Sequence, residues 1–191
     1  MKNIFIDCGY HLGEGLTSFT ESLSIINDWE VYAFEPNPHC DIKNKISQHP
    51  FHVQGEQKAI WIENGTLSFD CEHNTTTGSP VEGSTSELDG WGSYISCLDS
   101  RMKTEEQVHV ESIDFSEFIN SFRSRECTIY CKMDMEGAEF SVLRKMIQED
   151  TLRIIDHLWV EWHAEVLPTE SVDTKWQLHE DISKHTNVNS W

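Results

Sequence analysis

The chain has 191 residues, a length that suits one domain with a sizeable core, so residues 1–191 are treated as a single domain. Its 33 Asp and Glu against 14 Lys and Arg give a formal net charge of −19 at pH 7. A field of that sign repels phosphate backbones and anionic membrane surfaces, which argues against long nucleic acid as a partner.

The chain begins with a short apolar run that lacks the pattern of a signal peptide, and no stretch approaches the ~20 apolar residues that span a bilayer. We therefore expect a cytoplasmic protein without a membrane span. Apolar runs and apolar residues at helical spacing then alternate along the chain. The predicted elements are a strand at 3–9, a helix at 14–26, a strand at 30–36, a helix at 38–48 and a strand at 51–55.

Two alternating apolar runs surround Asn64-Gly65 and predict a β-hairpin with a type I′ turn over residues 59–69. Residues 71–106 are polar and rich in Gly, Ser and Thr, and they predict a loop that serves as a lid. The lid residues expected to contact a substrate are Ser84, Thr85, Ser86 and Trp91.

Strands and helices alternate again in the second half of the chain. The predicted elements are a strand at 108–113, a helix at 114–122, a strand at 127–134, a helix at 139–150, a strand at 154–163 and a helix at 172–185. Such alternation predicts an α/β fold with a doubly wound, mostly parallel sheet. Residues 186–191 offer one short strand at most.

Charged residues follow several of the predicted strands. They are Asp7, Glu35, Asp134, Glu161 and His163. Because ligands of doubly wound sheets bind beyond the carboxyl ends of the strands, these side chains should line a binding site.

A glycine-rich turn follows the first strand, with Asp7, Gly9 and Gly13 in a D-x-G-x-x-x-G spacing. Glycine lets the backbone turn sharply and approach a ligand closely. The turn lacks the G-x-G-x-x-G spacing of a dinucleotide loop, and Asp7 and Glu14 would be poor neighbours for a pyrophosphate. The turn therefore suits a ligand with a cationic end, although an ordinary strand-to-helix turn is the alternative.

Glu35 ends the second strand, 28 positions after Asp7. A carboxylate at this place accepts hydrogen bonds from ribose hydroxyls in many nucleotide sites. A helix-capping carboxylate is the alternative for Glu35 alone. The two motifs together predict a site for an amino-acid end and a ribose.

Five sequence blocks carry a resemblance to a known family. They are "DCGYHLGEG", "YAFEPNP", "VESIDFSEFI", "KMDMEGAEFSVLR" and "VEWH". In this order they resemble the FkbM-type methyltransferases, which are class I S-adenosylmethionine-dependent enzymes, over residues 3 to 165. The K-x-D-x-E-G-x-E block is the most specific. The resemblance implies a Rossmann-like fold, S-adenosylmethionine as cofactor, and methylation of a hydroxyl on a sugar, glycan or other small molecule.

The resemblance also implies a set of cofactor-binding residues. They are Asp7, Gly9, Tyr10, His11, Gly13, Glu35, Pro36, Asn37, Ala59 and Asp134. The chain departs from the family pattern at Tyr10-His11, where Ala-Asn is usual, and this changes the pocket wall near the methionine end. A class I sheet also normally closes with a reversed seventh strand. We therefore expect a sheet that is shortened at its C-terminal strands or completed by another chain.

The chemistry is assigned to Lys132, Asp134, Glu136, Glu161 and His163, which would surround the methyl group and the acceptor hydroxyl. Alternate residues of a strand share one face, so the first three would lie together if the strand persists. We expect His163 to act as the base, since an unperturbed histidine pKa lies near neutrality. A structural histidine is the alternative.

Glu139 falls in the first turn of the following helix, where a carboxylate favours the helix dipole. Asp134, Glu161 and His163 offer metal-ligand chemistry, but their spacing matches no recognised metal motif, so a divalent ion is not expected. Two other functions stay open: an RNA 2′-O-methyltransferase, which the net charge disfavours, and a cofactor-binding module without catalysis.

Overall fold

The computed structural model describes residues 2–71, 94–95, 106–164 and 167–190. The predicted lid contacts at Ser84, Thr85, Ser86 and Trp91 lie outside these ranges. In chain order the elements are β1 (Lys2–Cys8), α1 (Glu14–Leu23), β2 (Glu30–Phe34), α2 (Ile42–Ile46), β3 (Val53–Glu56), β4 (Ala59–Trp61), β5 (Gly65–Cys71), β6 (Tyr94–Ile95), β7 (Glu106–Asp114), α3 (Phe115–Asn120), β8 (Cys127–Met133), α4 (Ala138–Gln148), β9 (His157–Val160), α5 (Val172–Ile182) and β10 (Asn187–Ser190). Short 3₁₀ turns occupy Pro38–Cys40 and Leu152–Ile154.

A six-stranded sheet in the order β10-β9-β8-β1-β2-β3 forms the centre of the fold, and each neighbouring pair is parallel. Counted along the chain, these strands have the 3-2-1-4-5-6 order of a Rossmann sheet. The order reverses between β1 and β8, and this switch point opens the crevice where such sheets bind ligands. The predicted α/β, Rossmann-like, doubly wound fold is confirmed.

The two faces of the central sheet bury different helices because alternate side chains of each strand point to opposite sides. Phe5 of β1 packs with Leu16 and Phe19 of α1 on one face. Its neighbour Ile6 belongs to the larger core on the other face, which includes Phe140 of α4. Helices on both faces leave the strand ends as the accessible edge.

A second sheet in the order β4-β7-β5-β6 packs against the larger core, and the sequence did not predict it. The hairpin predicted around Asn64-Gly65 is wrong, because β4 and β5 each pair with β7 instead of with each other. Neither residue has the positive φ that a type I′ turn requires. Instead, the Asn64 amide accepts from the Asp114 backbone N–H at 3.0 Å and donates to Glu117 at 2.8 Å.

The C-terminal strand β10 pairs in parallel with β9 at the edge of the central sheet. Within the described ranges the central sheet contains no antiparallel strand, which agrees with the expectation of a sheet shortened at its C-terminal strands. The strand predicted over 154–163 is also shorter than expected, since a 3₁₀ turn precedes β9.

Gly9 lies where the turn after β1 crosses the end of β8. Its φ is +85°, and a Cβ there would lie 1.8 Å from the backbone oxygen of Asp134. Gly9 and Tyr10 both donate their backbone N–H to the Phe34 carbonyl, at 3.1 and 3.0 Å, which ties the turn to β2 as well. The close approach that glycine permits is therefore first of all an approach of backbone to backbone.

We expect Gly9→Ala to destabilise the protein strongly, because the new methyl group collides with backbone and the left-handed φ disfavours a side chain. Gly65→Ala is the matched control. Its φ is not positive, and the nearest atom to its Cβ would be Ser112 Oγ at 3.9 Å. Urea unfolding measures both variants. A Gly9→Ala protein as stable as Gly65→Ala would contradict the close contact between the backbones of Gly9 and Asp134.

Candidate active site

A buried ion pair joins the carboxyl ends of β1 and β8. The parallel register places Asp7 beside Lys132. The Lys132 Nζ lies 3.2 Å from Asp7 Oδ1 and 3.3 Å from Asp134 Oδ2, and it donates to the Gly9 carbonyl at 2.6 Å. Asp7 is fully buried and Lys132 is 2% exposed. One ammonium group thus holds both strand ends and the turn between β1 and α1.

Glu35 holds the turn from its other side. Its Oε2 accepts the backbone N–H of His11 at 2.7 Å, and its Oε1 accepts the backbone N–H of Asn37 at 2.7 Å. His11 has a left-handed φ of +49°, which aims its N–H at the carboxylate. The Glu35 side chain is almost completely buried. The ends of β1 and β2 therefore meet at one carboxylate beside the switch point.

Other residues predicted to bind the cofactor have their side chains in structural contacts. Tyr10 is buried, and its hydroxyl is hydrogen-bonded to His49 Nε2 at 2.8 Å. Gly13 lies directly against the Tyr10 ring, since a Cβ there would lie 2.6 Å from the hydroxyl oxygen. The side chain of Asn37 accepts the His39 N–H at 2.9 Å. These residues can contribute backbone groups and shape to a pocket.

Pro36 is half-buried next to Glu35, and Ala59 is buried in β4, within the larger core. The Ala59 side chain is a methyl group and can contribute only an apolar contact. The cofactor roles of these residues, like those of all the residues predicted to bind the cofactor, stay predictions.

A second cluster lies beyond the end of β8, around His163. Its Nε2 is 3.9 Å from Asp134 Oδ1 and 3.8 Å from Glu136 Oε2. One ligand atom from each of these three residues lies within 4.8 Å of the other two. Glu161 belongs to the same strand end, since its backbone N–H donates to the Met133 carbonyl at 2.8 Å.

The chain was then compared with known proteins. Residues 7–182 match the family described as the methyltransferase FkbM domain. The chain belongs to the FkbM methyltransferase family. No curated protein and no solved structure gives a significant match. Across the described ranges of this FkbM-family chain, no helix has both the length and the apolar composition needed to cross a membrane.

Glu139 is the residue of this FkbM-family site that sequence reasoning missed. It is fully buried at the start of α4, where its Oε1 accepts the backbone N–H of His163 at 2.8 Å and lies 3.3 Å from His163 Nδ1. Its Oε2 accepts the Gly137 N–H at 2.9 Å. A carboxylate expected to serve the helix dipole therefore also fixes the histidine ring.

Lys132, Asp134 and Glu136 were predicted to share one face of a strand, which required the strand to continue to Glu136. The strand ends earlier. β8 ends at Met133, and Glu136 has a left-handed φ of +50°. The backbone N–H of Asp134 still bonds the Cys8 carbonyl at 3.0 Å, so Lys132 and Asp134 do share a face. Glu136 reaches the cluster through the turn instead.

The electrostatics of the cluster differ from those of the unperturbed histidine on which the assignment of His163 as the base relied. Burial by itself lowers the pKa of His163, but the hydrogen bond to Glu139 and the charges of Glu136 and Asp134 outweigh it and raise the pKa to about 10. Burial raises the pKa of Glu136 to about 8, with His163 opposing and Asp134 adding to the shift. The ring differs from an unperturbed histidine because carboxylates surround it, and the role of His163 as the base stays a prediction.

The environment of Lys132 keeps its ammonium group charged. Burial alone would lower the pKa of Lys132, but the charges of Asp7 and Asp134 raise it above its ordinary value. Burial raises the pKa of Asp7, and Lys132 opposes that shift. Each charge of the pair is therefore stable only beside the other.

Lys132→Met should destabilise the protein by about 3–5 kcal/mol, because it leaves the buried Asp7 without its partner. The double variant Lys132→Met with Asp7→Asn should be more stable than Lys132→Met alone. Lys2→Met is the control, since Lys2 forms an exposed ion pair with Glu30 that is worth about 1 kcal/mol or less. Urea unfolding of the four proteins would contradict the coupling if the two single lysine variants lost equal stability.

Proposed function

We propose that this FkbM-family protein is an S-adenosylmethionine-dependent O-methyltransferase that acts on a hydroxyl of a sugar, glycan or other small molecule. The observation that carries the proposal is the arrangement of Glu35. Backbone N–H groups of His11 and Asn37 hold its two oxygens at the switch point. Each carboxylate oxygen has a further lone pair. Glu35 can therefore also accept hydrogen bonds from ribose hydroxyls.

The charge of the neighbouring strand ends suits the other end of this cofactor. S-adenosylmethionine carries a sulfonium and an ammonium group, both cationic. Asp134 stays partly exposed beside the turn, with one oxygen facing Lys132, and so offers a carboxylate to that ammonium group. A dinucleotide would instead bring a pyrophosphate among these carboxylates, which their charge disfavours.

The transfer itself asks the protein mainly for alignment. The acceptor oxygen forms a bond to the methyl carbon while the carbon–sulfur bond breaks and its electron pair stays on sulfur. The hydroxyl proton must leave during this exchange. Asp134 and Glu161 carry oxygen atoms that can accept a hydrogen bond from the hydroxyl.

A hydroxyl of a small molecule is favoured over an RNA hydroxyl by the charge of the protein. The net charge is −19, and the rim of the crevice is lined by carboxylates. RNA binding depends on neutralisation of phosphates by Lys and Arg. A neutral sugar or small molecule meets no such repulsion.

Glu35→Gln should weaken S-adenosylmethionine binding by about 1.5–3 kcal/mol, the worth of hydrogen bonds to a charged group. Glu30→Gln is the matched control. Glu30 begins the same strand and pairs with Arg125, at the opposite end of the strand from Glu35. Isothermal titration calorimetry measures both, with circular dichroism to establish folding. Equal affinity of two folded variants would remove Glu35 from the cofactor site.

An acceptor screen with methyl-tritiated cofactor tests the reaction. The panel holds sugars, glycans, small hydroxyl compounds and RNA. Transfer to a hydroxyl of the first three classes is the expected result. Transfer to RNA alone would favour the 2′-O-methyltransferase. Cofactor binding without transfer to any member would favour a binding module.

A further inference from the structure

We propose that Asp134, Glu136 and His163 form the binding site for one divalent cation of the Mn²⁺ or Mg²⁺ type. The site has one imidazole and two carboxylates at the end of β8, beside the turn that Lys132 holds. The acceptor oxygen would be a ligand of this ion, and that role of the ion rests on the proposed methyl transfer. Its binding does not.

The two distances from His163 to the carboxylates fit ligands that share an ion. His163 Nε2 lies 3.9 Å from Asp134 Oδ1 and 3.8 Å from Glu136 Oε2, too far for direct hydrogen bonds. Ligand atoms held at about 2.0–2.2 Å from one ion are themselves roughly 3–4 Å apart. The three side chains come from two segments, the turn after β8 and the end of β9, and converge without bonding one another.

An independent observation is the way in which the histidine ring is held. Glu139, which is fully buried and not one of the three ligands, lies 3.3 Å from His163 Nδ1. It also accepts the backbone N–H groups of His163 and Gly137, so its own position is fixed. A carboxylate on Nδ1 is the usual support of a metal-bound histidine, because it leaves Nε2 for the ion. Nε2 of His163 is the atom that faces Asp134 and Glu136.

The charge balance also favours a cation. The carboxylates that converge here are Asp7, Asp134, Glu136, Glu139 and Glu161. The cations among the contacts of these groups are Lys132, which Asp7 and Asp134 already share, and His163. A divalent ion would add positive charge among these carboxylates.

Two carboxylates and one imidazole leave coordination positions open, and oxygen-rich ligand sets of this kind suit Mn²⁺ and Mg²⁺. On the proposed function, the acceptor hydroxyl would occupy one open position. Coordination lowers the pKa of a bound hydroxyl. The proton would leave to water, and the oxygen would then attack the methyl carbon of the cofactor.

A Mn²⁺ titration monitored by electron paramagnetic resonance tests the binding site directly. It is carried out at about 0.15 M salt so that exposed carboxylates are screened. The wild-type chain should show one stoichiometric site, distinct from weak binding to its acidic surface. Glu136→Gln and His163→Gln should lose that site. Glu139→Gln, which alters only the support of the ring, should weaken it by about 10–100-fold. Glu149→Gln, an exposed carboxylate of the same chain, should retain it in full.

The wild-type measurement alone can overturn the inference, since a titration with only weak, non-saturating binding would contradict it. So would loss of the site in Glu149→Gln to the same degree as in folded Glu136→Gln. Calorimetry with S-adenosylmethionine on the same samples separates the two proposals. Cofactor binding without a Mn²⁺ site would refute the metal site alone, whereas a Mn²⁺ site without cofactor binding would refute the proposed function alone.

Discussion

The whole crevice depends on one buried ammonium group. Removing an ion from water costs several kcal/mol, and only close partners of opposite charge offset that cost. Lys132 has such partners in Asp7 and Asp134, and it also donates a hydrogen bond to the carbonyl of Gly9. These groups come from two neighbouring strands and the turn between β1 and α1. The requirement to satisfy one buried charge therefore sets the relative position of the three segments that form the floor of the crevice.

Asp134 links the two halves of the candidate site. One of its oxygens faces Lys132, on the side of the turn and Glu35 where we propose that the cofactor binds, and the other faces His163. The backbone of Asp134 is tied to Cys8 by a hydrogen bond of 3.0 Å, so the residue is an extension of the sheet and not part of a free loop. A rigid position of this kind suits a group that must be aligned with both the cofactor and the acceptor.

Much of the fold followed from local patterns in the sequence. The alternation of strands and helices predicted the parallel sheet, and the charged residues after strands predicted that several carboxylates would meet at one end of its strands. The register that places Asp7 beside Lys132 is a property of two strands far apart in the chain, so the pair could not be derived from spacing. The second sheet was missed for a similar reason. Asn64-Gly65 has the composition of a tight turn, but the partner of both flanking strands, β7, lies more than 40 residues away.

The chemistry of the candidate site was harder to predict than its location. An isolated histidine titrates near neutrality, and only the surroundings of His163 reverse that expectation. Those surroundings include Glu139, whose position in a first helical turn already had an adequate local explanation. A residue can satisfy a helix terminus and a distant ring at once, and the sequence displays only the first of these roles.

The contact between Gly9 and Asp134 has a mechanical consequence. With no side chain between the two backbones, the turn that would close around a cofactor cannot shift towards β8 without displacing Asp134. Any rearrangement there on binding is thus transmitted to the acceptor side through main-chain atoms. Coupling of this kind is reciprocal, because a ligand that favours one position of Asp134 must change the affinity of the other ligand by the same factor.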